Sequence, residues 1–93
     1  MLHHDLHSLR LLVAIGELRS LSRAAERMNM ALSAASRRLR LLEEEMGAPL
    51  VKRLPYGLEL TTAGITAERY ARSVLRLADQ LATAMDEHRS GVR

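Results

Sequence analysis

Cysteine is absent from the 93 residues, which excludes disulfides and thiolate metal sites. Phenylalanine and tryptophan are absent too, and Tyr56 and Tyr70 are the only aromatics. Recognition of single-stranded nucleic acid stacks bases on aromatic platforms, so this composition disfavours it, whereas a duplex read through charge and groove shape is not excluded. No apolar run approaches the roughly 18 residues of a membrane span, and no membrane partner is expected. His3, His4, Asp5 and Arg10 interrupt the stretch where a signal peptide needs its apolar centre, which makes the cytoplasm the expected compartment.

What remains is enough for one small domain, with an apolar fraction of 47% that is nearly all Leu, Ala, Met and Val. A chain this short buries a modest fraction of its surface, so stabilisation by an oligomer is expected. The formal charge of +3 is mild but unevenly placed. Arg19, Arg23, Arg27, Arg37, Arg38, Arg40, Lys52 and Arg53 fall in one stretch, against Glu26 and the run Glu43-Glu44-Glu45. A basic stripe of this kind is the footprint of a polyanion, although a mild excess alone describes an ordinary solvated surface equally well.

Patterning supplies the deciding context. Asp5 can cap a first helix from about Leu6 to Leu18, with Leu6, Leu9, Leu12, Val13 and Ile15 on its apolar side. A short second helix, Ser22 to Asn29, has Ser22 as a credible N-cap and carries Ala24 and Ala25, small enough for another helix to approach closely. After a tight turn at Met30, a third helix starts near Leu32 or Ser33 and stops at Gly47, with Leu39, Leu42 and Met46 facing inward. Two helices meeting steeply across so short a turn make a helix-turn-helix, whose second helix fits the major groove of DNA. The segment LVKRLPYGLEL then reads as a two-stranded wing turning at Pro55-Tyr56-Gly57. Thr61 or Thr62 caps a long last helix reaching about His88, on which Ala71, Val74, Ala78, Leu81 and Met85 form a heptad seam.

The expected fold is therefore mainly α: a winged helix-turn-helix over residues 1–61, a linker and dimerisation helix over 62–89, and a frayed tail over 90–93. The second half of the last helix outruns the small domain, and its own copy is the nearest cover for Ala71, Val74, Ala78, Leu81 and Met85. The competing cover is an effector domain. An antiparallel homodimer would hold two reading heads at fixed separation.

The order of elements and the residues Ser20, Arg23-Ala24-Ala25-Glu26-Arg27, Ser36-Arg37, Leu42-Glu43-Glu44-Glu45-Met46-Gly47, Pro49-Leu50, Lys52-Arg53, Leu60-Thr61 and Ala63-Gly64 resemble the N-terminal domain of LysR-type transcriptional regulators. The resemblance covers residues 6 to about 88. It implies a sequence-specific regulator of transcription that binds double-stranded DNA as a dimer on an inverted repeat, in the bacterial cytoplasm and nucleoid-associated. Where the family usually begins its reading helix with Ser-Gln-Pro, this chain has Ala31-Leu32-Ser33, and Leu32 can touch a thymine methyl but cannot hydrogen-bond a base edge. The family's effector-binding domain has no counterpart here, so a small-molecule effector is expected only if a further C-terminal domain exists.

The expected DNA-contacting residues are Ser22, Arg23, Ala31, Leu32, Ser33, Ala35, Ser36, Arg37, Arg40, Lys52, Arg53 and Tyr56. Ser22, Ser33 and the amides at the two helix starts can donate to phosphates, or simply cap. Leu32, Ala34, Ala35 and Ser36 lie on the first turns of the third helix, and spacing alone does not decide which alanine faces the groove. Arg37 and Arg40 share a face suited to phosphates or bases; Arg38 fits an exposed or salt-bridged position equally well. The resemblance places Lys52 and Arg53 of the wing on flanking backbone or minor groove, although edge-strand charges also deter strand pairing. Tyr56 either donates to a phosphate or covers the turn. The Glu43-Glu44-Glu45 run reads as a solvated face. His3 and His7 have the i, i+4 spacing of a helical zinc site without a third ligand, and no cofactor, metal or catalytic constellation is expected. The competing functions are a winged-helix protein-interaction module, a short form that heterodimerises with and inhibits a full-length regulator, and a winged-helix regulator of another type such as a molybdate-responsive one.

Overall fold

The computed structural model describes residues 6–91 and extends 53 × 27 × 19 Å. Its elements are α1 (Leu6–Leu18), α2 (Leu21–Arg27), α3 (Leu32–Met46), β1 (Val51–Leu54), β2 (Gly57–Leu60) and α4 (Thr62–Ser90). Asp5, expected to cap the first helix, and His3 lie outside the described residues. Ser90, expected to fray, is the last residue of α4, followed by Gly91 in the left-handed conformation at φ 78°.

Helix α1 runs through the middle of the head and touches α2, α3, α4 and β2. That surrounds it on most of its circumference, so Ser8, Leu9, Leu11, Leu12, Ala14 and Ile15 are all buried. A one-sided apolar stripe is the wrong template for such a helix: Leu6 is exposed, and Leu11 and Ala14 belong to the core instead. The apolar interior forms two neighbouring clusters. In one, Leu11, Ala14 and Ile15 meet Leu21, Ala24 and Ala25 of α2, Ala35 and Leu39 of α3, and Leu58 of β2. In the other, Leu12, Leu42 and Leu50 pack with Met46, Leu60, Ala63 and Ala67. The alanines at 24 and 25, 0% and 2% exposed, permit the close crossing of α2 against its neighbours.

Strands β1 and β2 pair antiparallel, Val51 with Leu60 through Leu54 with Gly57, around the turn Pro55-Tyr56. The hairpin is pinned to the α1–α2 corner, where Arg19 adopts φ 54° and its carbonyl accepts a hydrogen bond from the Leu58 N–H at 3.0 Å. The start of α4 docks on the entrance to the wing. Thr61 caps the helix by accepting from the Gly64 N–H at 3.0 Å, its hydroxyl donates to the Pro49 carbonyl at 2.7 Å, and its own N–H donates to the Leu50 carbonyl at 3.0 Å. Gly64 is demanded by this approach: a Cβ there would stand 2.0 Å from the Leu50 carbonyl oxygen.

Candidate nucleic-acid interface

The helix-turn-helix is built from α2 and α3. Ser20, not Ser22, caps α2: its backbone is extended and its side chain accepts from the Arg23 N–H at 3.2 Å. Ser22 therefore sits inside the first turn, exposed, with its hydroxyl 3.2 Å from that of Ser20. The turn pivots on Asn29 at φ 56°, a conformation that asparagine tolerates better than most side chains. Donation from Met30 N–H to the Ala25 carbonyl and from Asn29 N–H to the Glu26 carbonyl closes α2 in a Schellman arrangement. Helix α3 opens differently. Its N-cap is Ala31, which has no side chain able to cap, so the first-turn N–H groups are left to solvent or an anion. At its far end Gly47, at φ 74°, makes the expected stop.

A cleft of about 600 Å³ lies between the starts of α2 and α3 and the root of the wing. Ser22, Leu32, Ser33, Ser36 and Arg53 all line it, together with Ser20 and Leu54. Five of the residues anticipated from sequence are thus brought to one concavity. Leu32 is 52% exposed there, a large apolar side chain only half covered by its own chain. Arg23 on α2, Ala31 at the N-cap of α3, and Arg37 and Arg40 on α3 are exposed but do not line the cleft. The two alanines of α3 are now distinguished. Ala34 is exposed, whereas Ala35 is 0% exposed within the core cluster and has no surface to offer DNA. Ala35, Leu39, Leu42 and Met46 recur at helical spacing on the inward side, a pattern that would have assigned it. Arg38 leans back onto α1 and donates to the buried Ser8 hydroxyl at 3.1 Å.

On the wing, Lys52 and Arg53 are exposed but point to opposite faces, as successive strand residues must. Arg53 faces the cleft; Lys52 lies on the other side, opposite Glu59 in the strand register. Tyr56 at the tip is 86% exposed, so it covers no part of the turn.

Along α4 the expected seam divides. Ala71, 2% exposed, is buried within its own protomer and is unavailable to a partner. Ala78 is half-buried, and Val74, Leu81 and Met85 are exposed. Tyr70 and Leu77, 65% and 66% exposed, join the same apolar row and were not anticipated. Next to Ala71 an apolar groove of about 430 Å³ opens between α1, the end of α3 and α4.

Charge also ties the helices together. Glu17 of α1 accepts from Arg27 of α2 and, at 3.2 Å, from Arg72 of α4, which also binds Glu68 at 3.0 Å. Hydrogen bonds from Arg27 and then Arg72 hold the Glu17 carboxyl below the usual glutamate range. The bond to Glu68, with that to Glu17, raises Arg72 further. Arg27 of the basic stripe is thus committed to the fold. So is Glu43, whose carboxylate accepts from the Leu50 and Val51 N–H groups instead of joining a solvated face.

Three helices, a two-stranded hairpin and a helix-turn-helix with an exposed reading end define a winged helix-turn-helix domain with an added long helix. Residues 6–65 match the bacterial regulatory helix-turn-helix proteins of the lysR family, and the chain belongs to that family. It is similar to the HTH-type transcriptional regulator BudR of Klebsiella aerogenes, 39% identical over 75 residues that cover 81% of this chain and 52% of the relative. Among solved structures it resembles the DNA-binding domain of BenM in complex with catB site 1 DNA, with a TM-score of 0.89 and 32% identity over 95% of both chains. It also resembles Vibrio fischeri DarR in complex with DNA, with a TM-score of 0.91 and 27% identity over 99% of this chain and 32% of that one. The chain spans between 26% and 52% of the length of the first curated relatives it matches.

Proposed function

We propose that this domain binds double-stranded DNA sequence-specifically and regulates transcription as a homodimer on an interrupted inverted repeat. The observation that carries the reading is the cleft where Ser22, Ser33, Ser36 and Arg53 converge on the uncapped start of α3. A phosphate seated there would meet hydroxyl donors, a guanidinium and free backbone N–H groups at the positive end of a helix dipole. Arg23, Arg37, Arg40 and Lys52 extend positive charge along the flanking backbone, and Tyr56 can donate to it from the wing tip. Phosphate contacts supply most of the affinity, and Leu32, Ala31 and Ser36 at the reading end supply the preference. Leu32 favours a thymine methyl over a hydrogen-bonded base edge.

The dimer reading rests on Val74, Leu77, Leu81 and Met85, a row of exposed apolar side chains on a helix that outruns the head. Paired antiparallel, two such helices cover the row and set the half-site spacing. Related proteins solved with DNA support the duplex as partner; the exposed arginines on the reading face argue against a pure protein-interaction module.

Selection of bound sequences from random duplexes at fixed salt tests the function. Enrichment of two inverted half-sites at one spacing is expected. Enrichment of lone half-sites would remove the dimer, and no enrichment at any salt would remove sequence-specific binding.

A further inference from the structure

Glu43 lies late in α3, beside Glu44 and Glu45, yet it behaves differently from a surface acid. Its carboxylate is part-buried and accepts from the Leu50 N–H at 2.8 Å and the Val51 N–H at 3.4 Å, the two residues at which the chain enters β1. Leu50 is 1% exposed, its side chain packed with Leu12 and Leu42, and its carbonyl holds the Thr61 N–H at the start of α4. One carboxylate thus ties the reading helix to the root of the wing, and through Leu50 to the last helix. A two-stranded hairpin of four-residue strands has little stability of its own, so its angle is set by such anchors. The other anchor, the Leu58 N–H on the Arg19 carbonyl, holds the opposite strand. Hydrogen bonds to an ionised acceptor are roughly twice as strong as neutral ones, and removing Glu43 also leaves two N–H groups without their acceptor.

We propose that Glu43 is a positioning residue for DNA binding: it fixes the wing against α3 so that Lys52 and Arg53 reach flanking backbone while α3 occupies the groove. The proposal rests on the assignment of Lys52 and Arg53 to DNA under the proposed function. Its logic is energetic coupling, because a residue that works only by placing the wing has little left to place once Lys52 and Arg53 are gone and Tyr56 is the wing's one remaining donor.

The test compares the wild type, Glu43→Ala, Glu43→Gln, a Lys52→Ala/Arg53→Ala protein and the triple variant. Each is bound to a selected duplex with long flanks across a salt series, with hydroxyl-radical footprinting and a circular dichroism check of folding. Stripping the wing should lower the slope of log affinity against log salt by about 0.9 for each phosphate that the wing had neutralised, and erase flanking protection. Glu43→Ala should weaken binding about tenfold and erase the same flanking protection while half-site protection persists. The triple variant should bind within about threefold of the stripped wing, the margin that the single Tyr56 contact leaves. Glu43→Gln, whose amide oxygen still accepts, should stay within about threefold of the wild type. If Glu43→Ala does not fold, Glu43→Asp, one methylene short of both N–H groups, makes the same comparison. Flanking protection and slope that survive the Glu43 change, or an effect that adds in full to that of the stripped wing, overturn the positioning proposal. A stripped wing that binds with unchanged slope and footprint instead removes the wing from DNA, and the proposal falls with that assignment.

Discussion

Replacing Gly64 by alanine is the sharpest test of how α4 is joined to the head. The added Cβ would lie 2.0 Å from the Leu50 carbonyl oxygen and 3.0 Å from its carbon, both backbone atoms that cannot swing aside. Ordinary contact begins near 3.4 Å, so α4 and the wing entrance must separate by more than an ångström. Overpacking of that kind costs about 1–3 kcal/mol. Separation also stretches the Thr61 N–H bond to Leu50, which contributes about 1 kcal/mol. Alanine returns about 1 kcal/mol through its better helix propensity. The expected net loss is roughly 1–3 kcal/mol, a fall in Tm of roughly 4–24 °C for a domain of this size. Thermal unfolding followed by far-ultraviolet circular dichroism at one fixed protein concentration measures it, since a dimer's Tm depends on concentration. Gly47→Ala is the internal comparison: it has nothing within 4 Å and only its φ of 74° to strain, so about 1–2 kcal/mol is expected. A Gly64→Ala protein no less stable than Gly47→Ala would refute the close-approach reasoning.

Three further outcomes are expected. Arg37→Ala should weaken duplex binding and lower the salt slope by about 0.9 if it neutralises one phosphate; titration across a salt series with slope and affinity intact would take Arg37 off the DNA. Leu81→Asp should yield a monomer where the wild type forms the proposed dimer and sharply reduce operator affinity, and an undisturbed dimer in sedimentation would place the interface elsewhere. Glu17→Gln should destabilise the protein at neutral pH by less than about 1 kcal/mol, because its partners are solvent-screened. The Glu17 carboxyl is lowered on folding, so its contribution is present above the ordinary glutamate range of about 4.3 and is lost as pH falls through the lower value. Denaturant titrations of both proteins should therefore converge on acidification, and a constant gap at every pH would show that the Arg27 and Arg72 bonds contribute nothing.

Local signals were readable wherever a helix end or turn carries its own chemistry. Gly47 beyond Met46, Thr61 before α4 and Pro55-Tyr56-Gly57 between two short apolar pieces all mark boundaries that the structure keeps. The cleft was readable in part, since Ser22, Leu32, Ser33, Ser36 and Arg53 owe their meeting to a known motif. What failed was whatever depends on a distant element. Leu11 and Ala14 are buried because α1 is enclosed on several sides, which no single amphipathic stripe encodes. Ala71 looks like the head of a dimer seam until the fold buries it within its own protomer. Ser22 reads as the cap of the second helix, and only the extended backbone at Ser20 shows that the helix starts two residues earlier. Glu43 reads as one of three equivalent acids; its partners are backbone N–H groups, which leave no trace in side-chain pattern.

The left-handed residue at Arg19 constrains how relatives of this fold can diverge. Because its carbonyl is also the docking point for Leu58, an inserted or deleted residue at that corner would shift the hairpin along with α2. Hairpins exchanged between family members should therefore graft cleanly only when the corner travels with them.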